Sequence, residues 1–392
     1  MLDKASCLPI NDRDGRREGR RRPFAEEGIW LMRQMALVGF LQAQNCSNYS
    51  FSWRHPDSRT DFTSPEFYAH IARVLEEGKF QMAFFDDRLG MPEYHGGDYA
   101  DAIENGIRCV KMDPMACLMP MAMATTRLGL GATMSTTYYE PFHVARAFQT
   151  FDLMTKGRGA WNIVTSLNDI EAANMGRDGS IDHDLRYDRA DEFVEVVLGH
   201  WDTWADDALI VDKETRRFAD AAKVKRLDHK GQYFKSRGPF TVPRSPQGHP
   251  VLIQAGQSGR GKRFGATWGE AIFVVYPNLE VGKKSYAELK ADCAAMGRNP
   301  DNMKICHLIN PIVAETRAEA EDKRAFTETL PIEADSLMLL SEALNFDFGS
   351  KPLDEPFTAE ELESMTGLQA MRDRVTEVKG PCLLYTSDAA DE

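Results

Sequence analysis

The sequence lacks the cysteine and histidine spacings that usually bind a metal. Its seven cysteines are scattered without a C-x-x-C pair, and it contains neither H-E-x-x-H nor H-x-H. These spacings are the usual signs of zinc sites and redox pairs, so we expect no metal centre. Scattered cysteines are typical of a reducing compartment, and we expect a cytoplasmic protein.

Long apolar runs and excess basic charge are also missing. No run approaches the ~18 apolar residues that a membrane helix needs, and the first residues contain no apolar stretch typical of a secretory signal. The formal net charge of −13 argues against nucleic acid or an anionic membrane as the main partner.

Two common catalytic signatures are absent as well. There is no G-x-S-x-G, which weakens the case for a serine hydrolase. The segment GRGKRFG (259–265) does not match G-x-G-x-x-G and has no suitably spaced acidic residue after it. The sequence therefore predicts no Rossmann unit for a nicotinamide cofactor.

What the sequence does contain is an alternation of short apolar runs and helical patterns. The runs are apolar throughout, as strands covered on both faces are, and the clearest helices are 64–78, 140–155 and 183–204. This alternation predicts a parallel sheet and, at 392 residues, a TIM (β/α)8 barrel with insertions. The predicted strands are 34–43, 80–87, 127–136, 159–166, 250–256, 270–277 and 304–314.

These strands number seven, one fewer than a closed barrel needs. Residues 379–392 follow the last helical pattern abruptly, and we interpret them as a non-native tail on a C-terminally truncated barrel without its eighth strand; a natural frayed terminus is the alternative. Residues 1–31 are arginine-rich and patternless, and we interpret them as a disordered or non-native leader. The prediction is one barrel domain over 32–378.

Two long segments interrupt the barrel pattern. Residues 205–250 separate the fourth and fifth predicted strands, and residues 315–378 form a mostly helical segment after the seventh. Loops of this length on a barrel usually carry function, so we expect both segments to build the active-site face.

Polar residues follow the predicted strands at the edge where barrel enzymes keep their chemistry. Asp86 and Asp87 end the second strand; they could accept hydrogen bonds from a bound heterocycle, or be a solvated pair or a helix cap. The other ends carry neutral groups, which suit a polar, phosphorylated cofactor better than a nucleophile–base pair. These groups are Thr133, Ser135, Thr136, Asn162, Thr165 and Ser166.

The segment VLIQAGQSGRGKRFG (251–265) runs from a strand through a glycine-rich turn towards a helix. Such a turn offers free backbone N–H groups to phosphate, although a plain strand–turn–helix corner would look the same. His183 and Tyr187 lie four residues apart on one predicted helix face and could add a cation and a phenol. An inert surface histidine is the alternative.

Several motifs together resemble one family. "TSLNDIEAANMG", "DRADEFVEVV", "RSPQGHPV" and "LIQAGQSGRGKRFG", in this order and spacing, resemble the luciferase-like FMN-dependent monooxygenases, in the branch that holds the nitrilotriacetate and dibenzothiophene-sulfone enzymes. The resemblance covers roughly 32–378. It implies a TIM barrel that binds reduced FMN supplied by a separate NAD(P)H:flavin reductase, and a homodimer or homotetramer. Dioxygen is the co-substrate, and a flavin peroxide oxygenates a small organic molecule.

The resemblance also implies roles for individual residues. Asp87, Thr133 and Asn162 match positions near the flavin ring, and Ser166 faces flavin and substrate. The phosphate site matches His183, Tyr187, Gly256, Gln257 and Ser258.

The substrate side departs from the sulfone enzyme. Phe40 and Phe273 match aromatic wall positions, but Asn48 stands where that enzyme has a histidine. Sulfones, other organosulfur compounds, aminopolycarboxylates and alkanes therefore stay open as substrates. Asp86 beside Asp87 adds negative charge at the mouth of the barrel, which mildly disfavours a polyanion unless an arginine or a metal offsets it. A non-catalytic flavin-binding protein, an inactive fragment and a deazaflavin-dependent oxidoreductase are the alternatives.

Overall fold

The structure, a computed structural model, describes residues 35–256, 259–352 and 355–367. Seven parallel strands form its central sheet, in the order β1-β2-β3-β4-β9-β10-β11. All seven predicted strands are confirmed, each within its predicted range. They are β1 Val38–Leu41, β2 Met82–Phe85, β3 Gly129–Ser135, β4 Gly159–Val164, β9 Val251–Gln254, β10 Ala271–Val274 and β11 Lys304–His307.

An aromatic stack shows how strongly this sheet curls. Phe84 on β2 stacks on Phe40 of β1, with ring centroids 5.0 Å apart, and on Phe273 of β10, at 4.2 Å. Strands β2 and β10 are four steps apart in the sheet, which would be about 19 Å in a flat sheet. The sheet therefore bends round on itself, and the predicted TIM-barrel architecture is confirmed. Gly131 makes room inside, because a Cβ there would lie 2.9 Å from Cβ of Phe84.

The predicted chain ends lie outside the described residues. This applies to the leader, 1–31, and the tail, 379–392. The absence of an eighth strand and the limits of the barrel domain, 32–378, stay predictions.

Helices surround the sheet, and the three predicted most clearly are confirmed as α1, α4 and α6. Helix α1 begins where Ser64 Oγ accepts a hydrogen bond from the Phe67 N–H at 3.2 Å, with Pro65 in the first turn. The helices are α1 Pro65–Glu77, α2 Ala100–Glu104, α3 Pro114–Ala124, α4 Pro141–Met154, α5 Asp169–Asn174, α6 His183–Trp201, α7 Gly259–Trp268, α8 Leu279–Ala295, α9 Arg317–Thr327, α10 Glu333–Leu344 and α11 Ala359–Ser364. Among the described residues, no helix is both long and apolar enough to span a bilayer.

The main core lies between the outer face of the sheet and its helices. Trp161 of β4 is fully buried there, with Phe148 of α4 at 5.8 Å and Phe193 of α6 at 6.0 Å between ring centroids. Burying large aromatic rings contributes strongly to stability. This core fixes β4, whose carboxyl end carries several candidate site residues.

The insertion 205–250 does not lie where we expected it. It forms two small hairpins, β5 Leu209–Asp212 with β6 Arg217–Ala219 and β7 His229–Lys230 with β8 Lys235–Ser236. It packs on α6, and Gln247 near its end donates to the carbonyl of Gly159, at the start of β4 (2.9 Å). The expectation that it builds the active-site face is therefore wrong. A segment between a helix and the next strand returns to the amino-terminal edge of the sheet, opposite the chemistry.

The segment after β11 does lie at the carboxyl-terminal edge. Helix α10 is tied there by two ion pairs, Arg54 to Asp335 at 2.6 Å and Arg88 to Glu342 at 2.7 Å. Arg54 follows β1 and Arg88 follows β2, so the helix bridges two strand ends. The expectation for 315–378 is confirmed for this helix.

Candidate active site

The carboxyl ends of β3 and β4 hold a buried polar pair. Asn162 Nδ2 donates to Thr133 Oγ1 at 2.7 Å, and the Thr133 hydroxyl donates to the carbonyl of Phe85 at 2.8 Å. The other amide atom, Asn162 Oδ1, has no hydrogen-bond partner within the described ranges, although Asn162 is only 4% exposed. Leaving a buried acceptor unpaired is costly. Asn162 Oδ1 is therefore available to accept a hydrogen bond from a bound molecule.

The two aspartates after β2 have different surroundings. Asp86 forms an ion pair with Lys111, whose side chain is buried. Burial raises the pKa of the Asp87 carboxyl to about 7, although a hydrogen bond from the Arg88 N–H and the positive charge of Lys111 both lower it. The expectation that Asp86 adds negative charge at the mouth is wrong, because Lys111 neutralises it. No spacing in the sequence indicates this partner, which is 25 residues away.

Ser166, two residues after β4, has a left-handed backbone conformation with φ at 52°. Its hydroxyl donates to Ser135 Oγ, 2.9 Å away. On the following helix, α5, Glu171 is 6% exposed and accepts from the Leu89 N–H at 2.9 Å. Burial raises the pKa of the Glu171 carboxyl. Sequence reasoning missed Glu171, although it lies inside the quoted motif "TSLNDIEAANMG".

The turn after β9 is crowded around Gly256. A Cβ there would lie 2.4 Å from Gln254 Nε2, 2.7 Å from the Tyr187 hydroxyl and 3.0 Å from Gly261 Cα. A larger residue would have to push these two side-chain ends away. Gln254 is buried, and its Oε1 has no hydrogen-bond partner in the described part of the chain. Helix α7 begins at Gly259, three residues after Gly256, so its amino-terminal end follows this glycine closely in the chain, as at anion-binding turns. Gln257 and Ser258 lie outside the described residues.

The first turns of α6 lie beside the turn at Gly256, where the Tyr187 hydroxyl approaches it. The rings of His183 and Tyr187 lie 5.1 Å apart, so the predicted shared face is confirmed. Asp182 caps the helix by accepting from the N–H groups of Asp184 and Leu185. Sequence reasoning missed Arg186, which is 8% exposed and whose buried Nε has no partner among the residues described. A buried cation with a free donor suits an anion.

The predicted substrate-side residues are only partly brought together. Phe40 and Phe273 both contact Phe84 and so belong to one aromatic stack inside the barrel. Asn48 lies exposed in the loop after β1, where its backbone and side-chain oxygens accept from Arg108 Nη2 at 2.9 and 3.2 Å. Its role as a substrate contact stays a prediction.

Comparisons with known proteins agree on one family. A sequence model described as "Luciferase-like monooxygenase" matches residues 47–376. The chain is 45% identical over 325 residues to dibenzothiophene-sulfone monooxygenase of Rhodococcus erythropolis, covering 83% of this chain and 72% of that protein. It is 37% identical over 343 residues to nitrilotriacetate monooxygenase component A of Aminobacter aminovorans, covering 86% and 75%. Among solved structures, a riboflavin lyase with modified FMN and riboflavin superposes with a TM-score of 0.81 at 31% identity, covering 88% of this chain and 76% of that one.

Proposed function

This chain belongs to the luciferase-like monooxygenases, and we propose that it is a two-component enzyme that uses reduced FMN and O2 to oxygenate a small organic molecule. One observation carries the cofactor assignment. Two buried acceptors without partners in the described ranges, Asn162 Oδ1 and Gln254 Oε1, lie at the carboxyl ends of neighbouring strands, beside the crowded turn at Gly256. A ring with N–H donors joined to a phosphate would use all three features.

The residues fit the two ends of FMN separately. At the phosphate end, we assign Tyr187, His183, Gly256 and Arg186, together with Gln257 and Ser258. The buried guanidinium of Arg186 and the crowded glycine turn favour a dianion over a neutral group. At the ring end, we assign Asp87, Thr133, Asn162 and Ser166.

Reduced FMN, when bound, supplies the electrons with which O2 is activated. The chain's own residues orient the reactants and exclude water. The stack of Phe40, Phe84 and Phe273 provides an apolar floor, and α10, held by Arg88 and Glu342, covers the strand ends. Water exclusion strengthens every polar contact inside the site.

We propose a sulfone, another organosulfur compound or an aminopolycarboxylate as the substrate class, after the compounds named in the relatives. The ion pair of Asp86 with Lys111 removes the charge argument against an anionic substrate. A separate flavin reductase is the proposed partner, since the sequence has no nicotinamide-binding motif. We further propose that the protein is a cytoplasmic homodimer or homotetramer.

Flavin fluorescence titration tests the cofactor assignment. We expect saturable FMN binding, and binding of riboflavin, which lacks the phosphate, that is at least ~10-fold weaker, about 1.4 kcal/mol. The variant Arg186→Gln should weaken FMN binding and leave riboflavin binding unchanged. Equal affinity for both flavins in the wild type would contradict the phosphate site. Oxygen consumption with NADH, a flavin reductase and a substrate panel then tests turnover.

A further inference from the structure

Gln42 is the first inward-facing residue of the β1 segment beyond the aromatic stack. Successive side chains of a strand point to opposite faces. Phe40 packs inside the barrel on Phe84, and Leu41 packs on the outside, against the main core. Gln42 therefore faces the interior, one step nearer the carboxyl-terminal edge of the sheet than the rings of the stack.

The strand pairing places Gln42 in a row with site residues. The register of β1 with β2 makes Gln42 and Asp86 neighbours, one residue beyond the paired positions, and Lys111 contacts both side chains. The registers of β2 with β3 and of β3 with β4 continue the row to Thr133 and Asn162. One row of polar side chains thus crosses four strand ends directly above the aromatic stack.

Lys111 fixes which way the carboxamide of Gln42 points. Its ammonium group donates to Gln42 Oε1 at 3.0 Å and also to Asp86. An ammonium group can only donate, so the amide atom that it contacts must be the oxygen. The amide nitrogen, Gln42 Nε2, is buried and has no hydrogen-bond partner among the described residues. Gln42 therefore keeps one oriented donor for a bound molecule.

The surroundings of this donor indicate what it can bind. An unpaired buried donor is costly, which favours a bound molecule that supplies an acceptor. Lys111 is already paired with Asp86, so the charges beside Gln42 cancel. The ring of Phe40 offers apolar surface just below. A neutral oxygen acceptor on an apolar molecule matches this combination of one donor, no net charge and an aromatic floor.

From this geometry we propose that Gln42 is a specificity-determining residue whose Nε2 donates a hydrogen bond to a neutral oxygen acceptor, such as a sulfone oxygen, of an apolar substrate. The inference rests on the proposed function, in which Asn162, at the other end of the row, accepts from the flavin ring and Gln42 is left to the substrate. Among the proposed substrate classes it selects the sulfones.

The test uses two ligands that differ only in the acceptor. Dibenzothiophene sulfone carries two sulfone oxygens, and dibenzothiophene has the same rings without them. Equilibrium dialysis against the protein loaded with oxidised FMN measures both dissociation constants without turnover. The variant Gln42→Glu keeps an oxygen for Lys111 and loses the donor. We expect it to raise the dissociation constant of the sulfone ~10-fold and to change that of dibenzothiophene less than ~3-fold.

A matched control lies at the opposite edge of the sheet. Gln81 Oε1 accepts from the Leu37 N–H at 2.6 Å, and Gln81 Nε2 donates to the carbonyl of Lys79 at 3.0 Å. Gln81→Glu therefore also keeps an acceptor and removes a donor, and we expect it to bind both ligands as the wild type does. A second variant of the site, Gln42→Met, removes the donor without adding charge and should weaken sulfone binding alone.

The other outcomes are distinct. An unchanged sulfone dissociation constant in the folded, FMN-loaded Gln42 variants overturns the inference, as does equal weakening of both ligands or a wild-type protein that binds neither. Weaker binding of FMN itself in these variants would assign Gln42 Nε2 to the flavin and also overturns it. If the folded wild-type protein binds no FMN, the proposed function fails and this inference falls with it. FMN binding that is normal beside an indifferent Gln42 leaves the proposed function standing.

Discussion

The crowded turn at Gly256 allows a sharp test of the cofactor site. In Gly256→Ala, the new methyl group would lie 2.4 Å from Gln254 Nε2 and 2.7 Å from the Tyr187 hydroxyl, where ordinary contacts begin at 3.4 Å. The two polar groups must therefore retreat by about 1 Å and about 0.7 Å. Because Gly261 Cα stands at 3.0 Å on the backbone side, the methyl group itself has little room to yield.

This displacement should affect binding more than folding. Loss of one hydrogen bond to a charged phosphate costs about 1.5–3 kcal/mol, or roughly a 10- to 150-fold rise in the FMN dissociation constant. Overpacking lowers the free energy of unfolding by about 1–3 kcal/mol. Flavin fluorescence titration measures the first effect, and thermal unfolding without flavin measures the second.

The same turn offers a matched control. A Cβ at Gly259 meets no atom within 4 Å, so Gly259→Ala adds the same methyl group three residues later without a clash. We expect it to bind FMN as the wild type does. If Gly256→Ala binds FMN within threefold of Gly259→Ala, the phosphate does not use this turn and the reasoning fails.

Three further predictions concern the charged residues that follow β2 at the carboxyl-terminal edge of the sheet. Burial raises the pKa of Asp87 to about 7, so the folded protein binds this proton more tightly than the unfolded chain does. The free energy of unfolding should therefore fall as the pH rises from about 4 to 7. In Asp87→Asn this fall should be smaller, and thermal unfolding at a series of pH values measures it. The neighbouring Asp86→Asn leaves the buried Lys111 without its carboxylate partner. It should lower the free energy of unfolding, measured in urea at pH 7, by about 3 kcal/mol, at the low end for a broken buried pair because Asp86 is 37% exposed. Arg88→Ala, which leaves Glu342 without its partner, should cost about 3–5 kcal/mol and speed proteolysis of α10; an unchanged cleavage rate would contradict its role as a tie.

The sheet was predictable from sequence because each strand is short, apolar and separately bounded. The contacts of the charged residues at the carboxyl ends of the strands were less predictable, because their partners come from distant segments of the chain. Lys111 pairs with Asp86 and Glu342 with Arg88, and no local pattern joins them. Glu171 was hidden for a different reason, because a glutamate in the first turn of a helix ordinarily suits the helix dipole and faces water.

The insertion 205–250 was assigned to the wrong edge of the sheet because only its length was considered, and not whether it runs from a helix to a strand or from a strand to a helix. Length alone indicated function, but a segment from helix to strand and one from strand to helix end at opposite edges of a parallel sheet. The predicted order of α6 and β9 already placed this insertion at the edge away from Asn162 and Ser166.

The position of α10 late in the chain has a consequence for synthesis. Residues up to His307, at the end of β11, complete the seven-stranded sheet, while α10 ends only at Leu344. A ribosome adding about 5–20 residues per second needs roughly 2–7 s to make the stretch between them. For that interval the nascent barrel has its strand ends uncovered, so a chaperone or an early flavin could reach the mouth before the covering helix exists.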